Sequence, residues 1–211
     1  MKAPDFPLCK TEDRDGWRKL SGTMVYNGPY VQIEECSFLT PARLGKATPW
    51  TVAHRKSAVA VAPLTEDGRF ILIQQERLPV QRALWEFPAG QIDDEHTCES
   101  IVSTALRELD EEAGAELTAT GTLTPLGWFF GSQGFTSEHV YLFVASPVRI
   151  VRAPQPVGGE HIGEVKLVTA AELTKMVAEE IVQDALTLAL YARMSARGLL
   201  HGATARPEKL Q

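Results

Sequence analysis

One stretch limits the folds open to this chain more than any other. It runs from Gly90 to Ala115, GQIDDEHTCESIVSTALRELDEEAGA. Placed on a helix, Glu108, Glu111 and Glu112 are separated by steps of three and four, so they share one face. Val102, Leu106, Leu109 and Ala113 repeat with the same spacing on another face and read as the buried stripe. Thr97 is the expected N-cap, which puts Glu99 in the first turn, where a negative charge suits the helix dipole. Gly114 is the expected left-handed cap at the other end. Three carboxylates on one turn repel each other unless something neutralises them. A hard divalent cation held by carboxylate oxygens would do so, and Mg²⁺ typically keeps several waters and takes further oxygens from a phosphate group. The plain alternative is a solvated acidic face on an ordinary amphipathic helix.

The stretch resembles the Nudix box, in which a glycine and a spaced glutamate precede an REUxEExGU core, with U aliphatic. Arg107, Glu108, Leu109, Glu111, Glu112 and Gly114 match the core, and Ala115 stands in for the final aliphatic residue. Gly90 lies three residues further from Glu99 than the usual box allows, which assigns an insertion to the polar stretch Asp93–Thr97. The segments GRFILIQQERLPVQRALWEFPAGQID, GPYVQIEE, GFTSEHVYLFVA and QDALTLALYAR extend the resemblance to the ADP-ribose pyrophosphatase branch of that family.

The fold expected is α/β: a Nudix α/β/α sandwich with a mixed sheet, plus a small N-terminal antiparallel β subdomain. Residues 1–20 read as a flexible arm, 21–56 as the β subdomain, 57–200 as the Nudix domain and 201–211 as a mobile tail. Strand-like alternation marks Tyr30–Glu34, and Trp50–His54 reads as a second strand. The apolar run AVAVAPL in Ser57–Leu64 reads as a central strand, and Glu66-Asp67-Gly68 as a hairpin turn. Further strands are expected at Leu117–Phe130, Glu138–Ala145 and Val165–Val168, with helices at Ala170–Ala178 and Ile181–Arg197.

The resemblance also implies roles. Glu108, Glu111 and Glu112, with the Ala89 carbonyl, would hold Mg²⁺ (or Mn²⁺). Gly90, Glu99, Arg107 and Gly114 would be architectural, with Arg107 paired to Glu99. Arg77, Arg55, Glu86 and Glu138 would meet the substrate, with His54 competing for the place of Arg55. Glu160, on the loop before the last strand, would join Glu108, Glu111 and Glu112 as a catalytic residue by acting as general base. The substrate implied is a nucleoside diphosphate linked to a sugar, foremost ADP-ribose, cut to AMP and ribose 5-phosphate. GDP-mannose, ADP-glucose, NADH and a silent nucleotide-sugar-binding regulator are the alternatives. The family's Ser-Pro-Gly reads Ser132-Gln133-Gly134 here, where subfamilies diverge. A homodimer through the N-terminal subdomain is implied in the same way.

Composition sets outer limits. A net charge of −6 without a basic run argues against nucleic acid or anionic membrane as partner. Three scattered cysteines fit reduced thiols in a cytoplasmic protein. The N-terminus lacks the apolar run of a signal peptide.

Overall fold

The computed structural model describes residues 3–10, 16–43, 45–93 and 97–200. The expected mobile tail, 201–211, lies outside them, as do 94–96 within the expected insertion.

Three strands, β1 (Arg18–Asn27), β2 (Gln32–Leu39) and β3 (Thr48–His54), form a separate antiparallel sheet in that order. The main sheet contains β4 (Ala58–Thr65), β5 (Phe70–Arg77), β6 (Arg82–Glu86), β7 (Ala89–Gln91), β8 (Ala115–Phe130), β9 (His139–Ile150) and β10 (Ile162–Val168). Its spine runs β10-β5-β4-β9-β8, with β6 on β5 and β7 on β4. Among the described strands of this sheet only β4 and β9 pair in parallel, so the sheet is mixed.

The run AVAVAPL sorts itself by parity, because successive strand residues face opposite sides. Val59 and Val61 join the cluster under helix α1 (Cys98–Ala113), together with Ile101, Ala105 and Leu109. Ala58, Ala60 and Ala62 join the opposite cluster, where α2 (Ala170–Ala178) and α3 (Ala185–Ala196) contribute Leu173, Met176, Leu190 and Met194. Helices thus cover both faces, giving the expected α/β/α sandwich. Residues 3–10, read as part of a flexible arm, lie against the α1 side instead. Phe6 is buried there, edge-on to Tyr141 and Phe143.

The β4–β5 hairpin turns at Gly68, whose φ of +79° favours glycine. Beyond the single pair Leu64–Phe70 the two strands part. β6 occupies the freed edge of β5 and β7 that of β4, so the Phe87-Pro88 link crosses the gap. This wedge brings Ala89 and Gly90 under the C-terminal half of α1. α3 starts later than the apolar pattern suggests, because the Asp184 side chain caps it by accepting the Thr187 N–H at 2.7 Å. No described helix is long and apolar enough to cross a membrane.

Candidate active site

α1 is fixed at both ends before it presents any chemistry. The Thr97 side chain accepts the Ser100 N–H at 3.1 Å, and Gly114 closes the helix at φ +58°. A Cβ at Gly114 would come within 2.0 Å of the Arg152 carbonyl oxygen, so only glycine fits.

With the register set, Glu108 and Glu112 point inward and are buried, while Glu111 stays half-buried. Glu112 Oε2 accepts the Ala89 N–H at 2.8 Å, and its Oε1 is buried without a hydrogen-bond partner among the described residues. Burial pushes the Glu112 carboxyl up to about 8, against the pull of that N–H. Burial likewise pushes Glu108 up to about 7, with Arg107 pulling it back and Glu111 and Glu160 adding to the rise. Gly90 lies directly beneath: a Cβ there would meet Glu108 Oε1 at 1.9 Å. The box glycine is therefore the space in which the Glu108 carboxylate sits.

Arg107 takes partners other than the one expected. It meets Glu108 at 2.6 Å and Glu111 at 2.8 Å, the latter one helical turn on, while Glu99 stands exposed in the first turn. Glu111 and Glu108 lie within its reach on the same side of the helix, so part of the carboxylate repulsion is relieved within α1 itself. Among the described residues no three His, Cys, Asp or Glu side chains converge as a ready-made metal shell. The donor chemistry nevertheless suits a hard cation. Oxygen ligands predominate, one carboxylate oxygen is orphaned in a buried place, and the glycine beneath leaves room for a carboxylate.

A cleft of about 730 Å³ opens over this face. Glu108, Glu111, Arg107, Ala89 and Gly90 line its floor, and Arg55, Arg77, Glu138 and Glu160 its walls. Glu112 lies below the lining. Arg77 is gripped by Glu86 through Nε and Nη2, at 2.9 and 2.5 Å. Glu86 is 1% exposed: β6 turns it to the buried face, where it holds Arg77. Burial raises the Glu86 carboxyl, and the bond to Arg77 pulls it back. Arg55 and Glu138 face each other at 3.5 Å. His54 turns away to Glu34 of β2, at 2.7 Å, which leaves the cleft position to Arg55. Gln133, the point of departure in the linker, lines a neighbouring apolar groove with Trp17 and Trp50, whereas Ser132 reaches the cleft.

Several cleft residues carry no role expected from the sequence, among them Tyr30, Asp184 and Val157. Asp184 carried a usable signal, an aspartate three residues before Thr187 at the head of an apolar run. Val157 sits in a loop without periodicity, and Tyr30 stands at the head of the alternating stretch, where alternation alone marks no site.

Comparison with known proteins bears on the family and the fold. The chain is 35% identical over 143 residues to the ADP-ribose pyrophosphatase of Bacillus subtilis (strain 168), covering 68% of this chain and 74% of that relative. It is 25% identical over 164 residues to the methanol dehydrogenase activator of Bacillus methanolicus, covering 78% and 84%. A solved structure, the crystal structure of an ADP compounds hydrolase, shares the fold at a TM-score of 0.71. It covers 92% of this chain and 99% of that one at 18% identity. Residues 54–188 match the family model of the NUDIX domain, so the buried glutamates of α1, the glycine beneath them and the two-faced sandwich around them are those of a chain that belongs to the Nudix hydrolase family.

Proposed function

We propose that this protein hydrolyses the diphosphate bond of a nucleoside diphosphate sugar, with ADP-ribose as substrate and AMP and ribose 5-phosphate as products. The observation that carries the reading is the Glu108–Glu112 pair. Two buried carboxylates with raised proton affinity and one orphaned oxygen lie under a cleft whose walls bear Arg55 and Arg77. Such a floor repels a diphosphate unless cations join the two. The likeness to the Bacillus subtilis ADP-ribose pyrophosphatase supports the choice of nucleotide sugar.

Glu108, Glu111, Glu112 and the Ala89 carbonyl would hold Mg²⁺, or Mn²⁺ in its place. When bound, a divalent cation neutralises the phosphate oxygens and makes water more acidic. The chain's own groups do the rest. Arg77, held by Glu86 through one edge of its fork, offers its remaining donors to the diphosphate. Arg55, on the opposite wall, takes the other end of that charge. Glu160, exposed at the lip of the cleft and near enough to raise Glu108 and Glu112, takes a proton from the attacking water. In-line attack by that water breaks the diphosphate and leaves two monophosphates.

We also place the protein in the cytoplasm as a homodimer, without nucleic acid or membrane as partner. No disulfide joins Cys9, Cys36 or Cys98. The small sheet exposes Met24, Val25, Tyr26 and Trp50, an apolar surface suited to a second copy. Light scattering on the purified protein would return twice the chain mass; a monomer would rule this out.

A second reading is a regulator that binds without cleaving, favoured by the likeness to the methanol dehydrogenase activator. One product assay separates the readings. Protein and Mg²⁺ are offered ADP-ribose, GDP-mannose, ADP-glucose, NADH and a deoxynucleoside triphosphate, with Glu112→Gln as control. AMP and ribose 5-phosphate formed foremost from ADP-ribose, and lost in the variant, meet the proposal. Preference for another nucleotide sugar keeps the chemistry and changes the substrate. Binding without products leaves the regulator.

A further inference from the structure

At the mouth of the cleft the parallel ladder between β4 and β9 runs out. Its last backbone rung pairs Ala58 with Val140. One residue earlier in the chain than each stand Ser57, just before β4, and His139, the first residue of β9, 4% and 5% exposed. The Ser57 hydroxyl lies 3.0 Å from His139 Nδ1, so a side-chain hydrogen bond carries the ladder one step past its backbone end. His139 Nε2 lies 3.2 Å from the Tyr141 hydroxyl, which in turn accepts the Cys9 N–H at 3.1 Å. Trp128, Phe130 and Tyr141 meet the imidazole edge-on. His139 Nδ1 also lies 3.3 Å from the Ser137 carbonyl oxygen, so the imidazole is held from several sides and a buried network of this kind favours one geometry.

Directly beyond this rung the two strands deliver the walls of the cleft. Glu138 precedes His139, and Arg55 lies two residues before Ser57. Their side chains face each other at 3.5 Å, and both line the cleft, whereas Ser57, His139 and Tyr141 do not. The hydrolysis proposed above makes no use of the Ser57–His139–Tyr141 chain.

We infer that the Ser57–His139 hydrogen bond is a positioning device. It ties the two chain segments between the last ladder rung, Ala58 with Val140, and the parallel bridge of Ala53 with Thr136, and so tunes the spacing at which Arg55 and Glu138 receive the substrate. The inference rests on the reading of Arg55 as a diphosphate contact. His139 and Ser57 act through that pair and touch no substrate themselves.

The test is steady-state kinetics on the full-length protein with Mg²⁺ and ADP-ribose, or whichever diphosphate of the panel the wild type cleaves, beside thermal melts. In Ser57→Ala, KM rises about fivefold, the worth of one ordinary hydrogen bond, while kcat holds. Ser57→Thr keeps the hydroxyl and returns KM to the wild-type value. In an Arg55→Ala background the same Ser57→Ala change leaves KM unaltered, because the group it positions is gone. An unchanged KM in Ser57→Ala overturns the inference. So does a KM effect that persists in full without Arg55, or a melting temperature that falls with KM untouched. A wild type that cleaves none of the panel sinks the reading of the cleft, and the positioning role with it. A wild type that is active beside an unaffected Ser57→Ala removes the positioning role alone.

Discussion

Two glutamates in this molecule show opposite solutions to the same problem. Glu34, on the small sheet, is met by Lys19 and His54, each at 2.7 Å, and its carboxyl is held down to about 2, chiefly by the bond to Lys19. Glu112, on α1, is met by one backbone N–H and pushed up to about 8 by burial. The small sheet completes its own electrostatics. The cleft floor leaves its charge incompletely matched, which is what a site completed by a ligand requires. A carboxylate satisfied within the fold is structural, and one left short is available for chemistry.

Replacing Glu112 should separate the two most strongly. Glu112→Gln should lower kcat by roughly a thousandfold, measured by product formation. The same change should stabilise the protein in chelator at high pH. Because the folded carboxyl titrates near 8 and the ordinary value is 4.5, folding favours the protonated form. Its contribution is full below about pH 4.5 and is lost as pH rises to about 8. Melts in EDTA should therefore place the variant above wild type at pH 9 and level with it at pH 5. Equal melting at pH 9 would break the comparison.

Gly90→Ala should come next. The added methyl lands on the Glu108 carboxylate, so activity should fall about a hundredfold with a loss of about 2 kcal/mol in a denaturant titration. Near-normal kcat would show that Glu108 can leave its place without consequence. Arg77→Lys should raise KM about tenfold, since a lysine cannot grip Glu86 through two nitrogens and still face the cleft. Glu34→Gln should do least. Its contribution is present above about pH 4.5 and lost as pH falls towards about 2, so a small drop in melting temperature at pH 7 should vanish near pH 2. Kinetics unchanged in that variant would sharpen the contrast.

Much of the cleft floor was legible because a helix repeats at a fixed interval. The spacing of Glu108, Glu111 and Glu112 put them on one face, and the same count put Leu109 and Ala113 on the buried one. Periodicity does not rank neighbours by depth. It left open that Glu112 sits below Glu108, and that Arg107 leans on Glu108 and Glu111 in place of Glu99. The depth of Glu86 is hidden for a related reason: only the pairing of β6 with β5 turns it inward, onto Arg77. The parting of β4 from β5 was illegible, since it depends on segments that meet only when the sheet is built. The sandwich itself followed from runs such as AVAVAPL, whose two parities suit two covered faces.

The fork in the sheet has one more consequence. β4 and β5 are tines joined at Leu64 and Phe70, and the Phe87-Pro88 link is the spacer driven between them. A short stretch of chain that bears none of the acidic groups thus holds the two tines apart beside the cleft floor. That spacer runs straight into Ala89 and Gly90, which seat Glu112 and Glu108, so a change in its length would move the sheet and the acidic groups of α1 together.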